Sequence, residues 1–380
     1  MRSHIAIIAV GDFPGRGGGF DSFVSEFAPR AAEYCDVSVY CQQRELDVIQ
    51  VSQIGGVERV GIYRPPGYRG LIQHRNRCMV HAIRAGADAI YLLGSTVAPV
   101  AIWHKIRHPS LLLLINPDGM EWWRSGYRWW ERAILAGASL SAALGADMLV
   151  CDAQAIARRY RPLRCKRPTV FMPYAVASTG STANLGNNLE AGLSRNDYYL
   201  MVGRCVRENH IAEVAKWWCD LPTAKRLVIV TDVEHTQIGG HAFAATLSAI
   251  FAKSQGKVLL IGPIYDVDRL NVLRANAFAY VHGHSVGGTN PSLLESMVCA
   301  RPIIAHDNEF NREVLGTTGL YFDGRGSFST ALTELEADVQ APIHYGLAVQ
   351  QRAEQLYSWQ RVMSVFTDQI LPIMDERVKS

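Results

Sequence analysis

The sequence predicts an α/β protein of two domains, each a parallel β-sheet wrapped by helices. Three observations carry this. Apolar, β-rich runs of four to seven residues alternate with helical patterns through the first half, the alternation stops in a Ser/Thr/Gly/Asn-rich stretch at 177–196, and it then restarts for a second unit of similar size. At 380 residues the chain is long enough for two cores of ordinary size. The first domain is therefore placed at 1–176, a linker at 177–196 and the second domain at 197–356.

In order, the first domain's strands are predicted at 5–10, 37–40, 57–63, 89–93, 111–115 and 148–151. Those of the second fall at 198–202, 226–231, 258–261, 278–281 and 303–305. The run at 5–10 is too short and wrongly flanked for a signal peptide, ending at Gly11-Asp12, and reads as a first strand. The longest uncharged stretch, 133–146, is mostly Ala, Gly and Ser and falls short of the roughly 20 apolar residues a spanning helix needs. No transmembrane helix is expected. The segment 357–380 begins amphipathic and is expected to cross back onto the first domain. Open α/β sheets bind ligands beyond the carboxyl ends of their strands, so a cleft between two such domains is the expected site. A formal charge of +3 argues against wholesale nucleic-acid binding. Eight scattered cysteines without a Cys-x-x-Cys pair suggest neither a zinc site nor a disulfide framework, and fit a reducing cytoplasm.

The most informative stretch is 282–295, His-Gly-His-Ser-Val-Gly-Gly-Thr-Asn-Pro-Ser-Leu-Leu-Glu. Gly287 and Gly288 let the backbone turn close to a ligand, Asn290 is suited to N-cap a helix, and Pro291 suits its first position. Free N–H groups and the positive end of the helix dipole then face the loop, a ready place for a phosphate. Glu295, a turn further on, is placed to accept hydrogen bonds from sugar hydroxyls; the alternative is a solvated Glu on an ordinary strand–turn–helix. Arg204 ends the strand at 198–202, where a guanidinium can grip a diphosphate and stabilise a departing one. His282 and His284 flank the loop without the partners of a metal site, and His284 sits where a donor sugar would lie.

In the first domain, Gly17, Gly18 and Gly19 follow the first strand and let backbone approach a phosphate or an acceptor. This is not a dinucleotide fingerprint, because Phe20 stands where the sixth position needs Gly, and no Walker lysine follows. Asp118 and Glu121, just past the strand at 111–115, are candidates for contacting substrate hydroxyls or accepting a proton; an Asp-Gly turn with an exposed Glu is the alternative. At 122–132 aromatic and cationic residues interleave, a surface for a membrane interface or for sugar rings, or else core tryptophans with a solvated arginine face. The run 158–167 holds six cations and no acid, which suits lipid phosphates or a solvated helix end.

Together these motifs resemble the retaining glycosyltransferases of family four, which have the two-Rossmann GT-B fold, and more narrowly the branch with rhamnosyltransferases of capsule and O-antigen synthesis. The blocks carrying the resemblance are 15–20, 116–122, 202–204 with Glu208-Asn209, 281–297, 305–315 and Ser358-Trp359. The resemblance implies that Glu295 binds the nucleotide ribose, that Thr289, Asn290 and Arg204 hold the diphosphate, and that the acceptor lies near Gly17 to Gly19. Three departures stand out. Gly287 occupies the place of the family's usual first glutamate, so a sugar contact is missing or passes to His284. Asn209 stands near the usual lysine, leaving Arg204 and Arg207 more of the phosphate charge. Asp118 lies near the place of the usual first-domain histidine.

The expected activity is transfer, with retention, of a hexose or deoxyhexose, rhamnose favoured, from a nucleotide sugar to a growing polyprenyl-diphosphate-linked polysaccharide. No cofactor or metal is expected beyond the nucleotide-sugar donor. The expected setting is the cytoplasm, with peripheral contact to the anionic inner face of the membrane. Rival readings are a GT-B sugar-nucleotide epimerase, a phosphorylase, and a non-catalytic sugar-nucleotide or glycan-binding subunit.

Overall fold

The computed structural model describes residues 2–8, 10–15, 18–45, 48–119, 121–123, 127–164, 167–176, 192–232 and 240–379. The chain divides into two compact units, the first comprising Met1–Trp122, Arg128–Tyr174 and Trp359–Ser380, the second Trp123–Tyr127 and Ala175–Ser358.

Unit 1 runs β1 (His4–Ile8), α1 (Gly19–Ala31), β2 (Asp36–Gln43), β3 (Gln50–Ile54), β4 (Val57–Tyr63), α2 (Gly67–Arg84), β5 (Ala89–Leu93), α3 (Ala98–Arg107), β6 (Leu112–Asn116), α4 (Trp129–Gly145), β7 (Met148–Cys151), α5 (Gln154–Tyr160) and β8 (Thr169–Phe171). The sheet order is β3-β4-β2-β1-β5-β6-β7-β8. Strands β5, β6 and β7 are buried along their whole length, which is why they read as unbroken apolar runs. Strand β3 differs from expectation: it pairs antiparallel with β4 at the sheet edge and is exposed nearly throughout, so no burial pattern marked it in the sequence. Strand β8, three residues long, is likewise too short to stand out.

Unit 2 runs β9 (Tyr198–Val202), α6 (Ile211–Cys219), β10 (Arg226–Val230), α7 (Gly240–Lys253), β11 (Val258–Ile261), α8 (Val267–Asn276), β12 (Ala279–His282), α9 (Pro291–Met297), β13 (Ile303–His306), α10 (Glu309–Leu315), β14 (Leu320–Phe322), α11 (Arg325–Ala337) and α12 (Ala341–Leu356). Its sheet order is β11-β10-β9-β12-β13-β14, and every pairing is parallel. Successive strands step outward from β9 to β11 on one side, then the order reverses and runs from β12 to β14 on the other. Two neighbouring strands whose connections leave in opposite directions open a crevice at their carboxyl ends. In unit 2 that switch point lies between β9 and β12; in unit 1 it lies between β1 and β5.

The chain returns to unit 1 through α13 (Trp359–Val365), a π-turn at Phe366–Ile370 and α14 (Leu371–Lys379). Trp359 stacks on Phe23 of α1 at 5.7 Å between centroids, and Phe366 meets Phe27 edge-on at 5.3 Å. Val362, Phe366, Ile370 and Met374 are all buried. That spacing of four residues drifts around an α-helix of 3.6 residues per turn, and the wider π-turn brings the stripe back into phase.

Within the cationic run 158–167, where Arg158, Arg161 and Arg167 are exposed, one residue differs from expectation. Its Arg164 is neither a solvated nor a lipid-facing charge: it is 2% exposed, and its guanidinium donates to the carbonyls of Ala143, Ala146, Asp147 and Pro168 at 2.7–3.1 Å. Arg167 adds a hydrogen bond to the carbonyl of Leu144. The carbonyls of Ala143, Leu144 and Ala146 lie at the end of α4, at the negative pole of its dipole, where carbonyls lack helical partners. The arginines therefore close the helix. Burial with Arg167 nearby lowers the Arg164 pKa to about 10, still protonated at neutral pH. Cys165 and Lys166 lie outside the described residues.

Candidate functional site

The candidate donor residues gather on the two loops flanking the β9/β12 switch point. After β9 the chain passes Gly203 and Arg204, makes a short helical turn at Arg207–Asn209 and enters α6 through His210, whose φ of 50° is left-handed. After β12 it runs from Gly283 to Thr289 and enters α9. The two loops are bonded to each other. The Asn209 amide donates 2.8 Å to the Arg204 carbonyl, so its Oδ1 faces the ring of His284, 2.7 Å from Nδ1. Ser285 donates both its N–H and its hydroxyl to the Glu208 carbonyl, at 2.9 and 3.0 Å. At Gly283 the loops are so close that a Cβ would fall 2.0 Å from the Asn209 carbonyl oxygen, so only glycine fits.

This geometry sets the chemistry of His284. An amide oxygen can only accept, so Nδ1 carries the proton, and in the neutral ring Nε2 is then the accepting nitrogen. From the other side, the His284 carbonyl accepts from Asn308 at 3.0 Å and Asn311 at 2.9 Å, which anchors the residue to α10. Nε2 points toward Gly287, where a Cβ would stand 3.0 Å away, and Gly287 has a φ of 130° that residues with side chains rarely take. A glutamate at 287 and the ring of His284 would therefore compete for the same space.

Arg204 and Arg207 are both exposed, and neither side chain has a hydrogen bond or ion pair among the described residues. Asn290 caps α9, its Oδ1 accepting from the Ser292 N–H at 2.9 Å, with Pro291 at the first helical position. Thr289 is 4% exposed, and Gly288 lies partly exposed beside it.

Glu295 is not simply solvated. One oxygen is 2.5 Å from the guanidinium of Arg274, whose side chain is 2% exposed, while the Glu295 side chain remains 39% exposed. Arg274 also reaches Ser292 at 3.3 Å and Asn271 at 3.0 Å, and Tyr280 joins Ser292 at 2.9 Å. Arg274 was not anticipated. Its only sequence signal is a cation on the Leu270/Leu273 side of a short helix, a place where charge is rarely buried without a partner.

Four histidines, His210, His282, His284 and His306, crowd this end of the sheet. His210 and His306 stack at 4.5 Å between centroids, and His282 lies 6.0 Å from His284. Burial, reinforced by the neighbouring His210, lowers the His306 pKa to about 4, and burial drives that of His282 well below its usual value. Both rings are neutral at neutral pH. Among the described residues no group of three or more His, Cys, Asp or Glu side chains is arranged to hold a metal ion.

The other candidates belong to unit 1. Asp118 follows β6 with a φ of 62°, its N–H donating to Asn116 Oδ1 at 2.8 Å and its own Oδ1 accepting from Gly119 at 2.7 Å. Glu121 begins a short helical turn at Glu121–Trp123. Gly18 and Gly19 lie at the start of α1; Gly17 lies outside the described residues.

Two parallel-sheet, Rossmann-like domains built in this way are those of the GT-B glycosyltransferases, and that is the fold of this chain. Among solved structures it is similar to the sucrose-phosphate synthase of Thermosynechococcus elongatus, with a TM-score of 0.78 and 18% identity over 98% of this chain and 100% of the other. The α,α-trehalose 6-phosphate synthase of Burkholderia multivorans gives 0.74 and 10% over 100% and 99%. A trehalose-6-phosphate synthase described for glycosyl transfer with retention gives 0.74 and 10% over 96% and 98%. Residues 2–176 match a family described as a domain of unknown function, DUF1972. No curated protein sequence matches the chain. Among the described residues no helix is long and apolar enough to cross a membrane.

Proposed function

We propose that the chain is a retaining glycosyltransferase that moves a hexose or deoxyhexose, rhamnose favoured, from a nucleotide sugar to a polyprenyl-diphosphate-linked saccharide. The observation that carries the reading is the cross-bonded pair of loops at the β9/β12 switch point, which present the Arg204 guanidinium, without a partner among the described residues, and the Nε2 of His284. The likeness of the fold to synthases of sugar phosphates, one of them described for transfer with retention, supports the reaction class.

In this reading the diphosphate lies against Arg204, Arg207 and the Thr289–Asn290 turn, and the ribose diol meets the open side of Glu295. Arg274 positions that carboxylate. The bond from the anomeric carbon to the phosphate oxygen breaks with its electrons going to the phosphate. The acceptor oxygen bonds the same face, and its proton passes to the departing phosphate. Arg204 stabilises the growing charge, and His284 Nε2 accepts from a sugar hydroxyl in the place of the missing glutamate.

The test is incubation of the purified protein with a panel of nucleotide sugars, dTDP-rhamnose included, and polyprenyl-diphosphate oligosaccharides. Transfer with net retention, reduced by Arg204→Ala and by Glu295→Ala, is expected. The reading fails if no acceptor receives sugar and both variants bind nucleotide sugars as the parent does.

A further inference from the structure

Arg75 of α2 carries a guanidinium that is buried without being paired. Its Nε and Nη1 are shut off from solvent, and the side chain takes no hydrogen bond or ion pair among the described residues. Arg64, in the turn between β4 and α2, is half satisfied: Nη1 donates to Gln42 Oε1 at 2.8 Å, while its Nε is buried with no acceptor among the described residues. Buried arginines that serve the fold look different. Arg164 spends its guanidinium on four carbonyls, and Arg274 spends its own on Glu295, Ser292 and Asn271. A buried charge is rarely left unpaired, because nothing then offsets its loss of water.

The backbone fixes where the two groups stand. Gly70 of α2 lies so close to Pro65 that a Cβ would fall 2.1 Å from its carbonyl oxygen, and His74 Nδ1 lies 3.4 Å from the Tyr63 carbonyl. The turn carrying Arg64 is thereby pressed onto the first half of α2. The Arg75 guanidinium leans back toward that end of the helix, within electrostatic reach of Arg64 and of Asp21 at the start of α1. This is the carboxyl end of the sheet, where open α/β sheets take their ligands. Countercharge is scarce there. Asp21 accepts from the Gly11 N–H at 2.9 Å, Asp12 pairs with Arg59 at 2.7 Å, and the Cys78 thiol, pushed up to about 12 by burial, stays neutral. The first turn of α2 holds no acid, and no side chain caps it. Burial, with Arg64 nearby, lowers the Arg75 pKa only to about 10, so it keeps its charge at neutral pH. Two guanidinium groups so placed select an oxyanion, because their forked N–H donors match carboxylate and phosphate oxygens.

We propose that Arg64 and Arg75 form a subsite in unit 1 for an acidic substituent, a carboxylate or a phosphate, on the saccharide that receives the sugar. That the ligand is the acceptor rests on the transferase reading; that an oxyanion binds here does not. The test is calorimetric titration of the full chain with glucuronate, glucose 6-phosphate and glucose at low ionic strength. At least one of the two anions should bind and glucose should not, and the tighter anion names the substituent. Arg75→Met and Arg64→Gln should each weaken that binding by roughly tenfold or more. Arg204→Ala, in the donor loops, should leave it unchanged. Without ligand, Arg75→Met should melt at or above the parent's Tm, since it removes an unpaired buried charge at similar volume, whereas Arg164→Met should melt well below it. The proposal is overturned if neither anion binds, if glucose binds equally, if both arginine variants keep the binding, or if Arg204→Ala alone abolishes it. An Arg75→Met protein that melts as far below the parent as Arg164→Met would make Arg75 structural and overturn it too. Anion binding that behaves as expected in a protein that transfers no sugar would strike the transferase reading alone.

Discussion

The two sheets reverse their strand order in the same way, yet their switch points are closed differently. In unit 1 the loop after β1 is tied to its own helix and to the strands on one side: Gly11 N–H donates to Asp21 at 2.9 Å, Gly15 N–H to the Ser25 hydroxyl at 2.8 Å, and Asp12 pairs with Arg59 of β4 at 2.7 Å. In unit 2 the loop after β9 is tied across the switch point to the loop after β12, through Asn209, His284 and Ser285. A loop bonded to its neighbour holds both sides of a crevice in register, which is what orienting a diphosphate and a sugar together requires. The lesson is that one topology supplies two crevices and that side-chain bonding decides which is tied across.

The sharpest test of this contrast is Arg204→Ala. Loss of a preorganised cation facing a leaving diphosphate should lower turnover by about a hundredfold or more, measured as sugar transfer under saturating donor. Gly283→Ala should rank next. Its Cβ meets backbone at 2.0 Å, so unfolding by denaturant should show a loss of about 3 kcal/mol. Gly18→Ala in unit 1, with open space around the added carbon, should cost less than about 1 kcal/mol. Equal effects at the two glycines would erase the difference drawn between the switch points.

Acid offers a third test. His306 has its folded pKa lowered to about 4, below its ordinary 6.5, so the unfolded chain takes up protons first. Stability from this ring is fully present above pH 6.5, falls with decreasing pH and levels off near 4. His306→Gln should reduce the slope of unfolding free energy against pH in that window, by up to about 1.4 kcal/mol per unit. The His74 ring in unit 1 is lowered to about 4 as well, mainly by burial, so the variant keeps part of the parent's acid sensitivity. Smallest is Asn209→Ala, which removes the bonds to Arg204 and His284. It should lower kcat/KM by roughly tenfold and leave thermal stability nearly unchanged.

The strands that bury both faces were legible in the sequence, because a covered parallel strand is a continuous apolar run. The exposed edge strand β3 and the three-residue strands β8 and β14 were not, since pairing without burial leaves no hydrophobic pattern. In the site, the Asn290 cap and the glycines of the β12–α9 loop could be read because local chemistry dictates them. Arg274, thirteen residues before Gly287 and on another helix, could not: its role depends on a tertiary meeting with Glu295. The arginines at 164 and 167 show the converse error, in which a run of charge on paper becomes a helix closure in space.

The return of residues 359–379 to unit 1 carries a consequence for biogenesis. Phe23 and Phe27, near the beginning of the chain, receive their covering from residues that leave the ribosome only after all of unit 2. During synthesis unit 2 can close around its own sheet while unit 1 still waits with an aromatic face bare, so the domain made first is the one finished last.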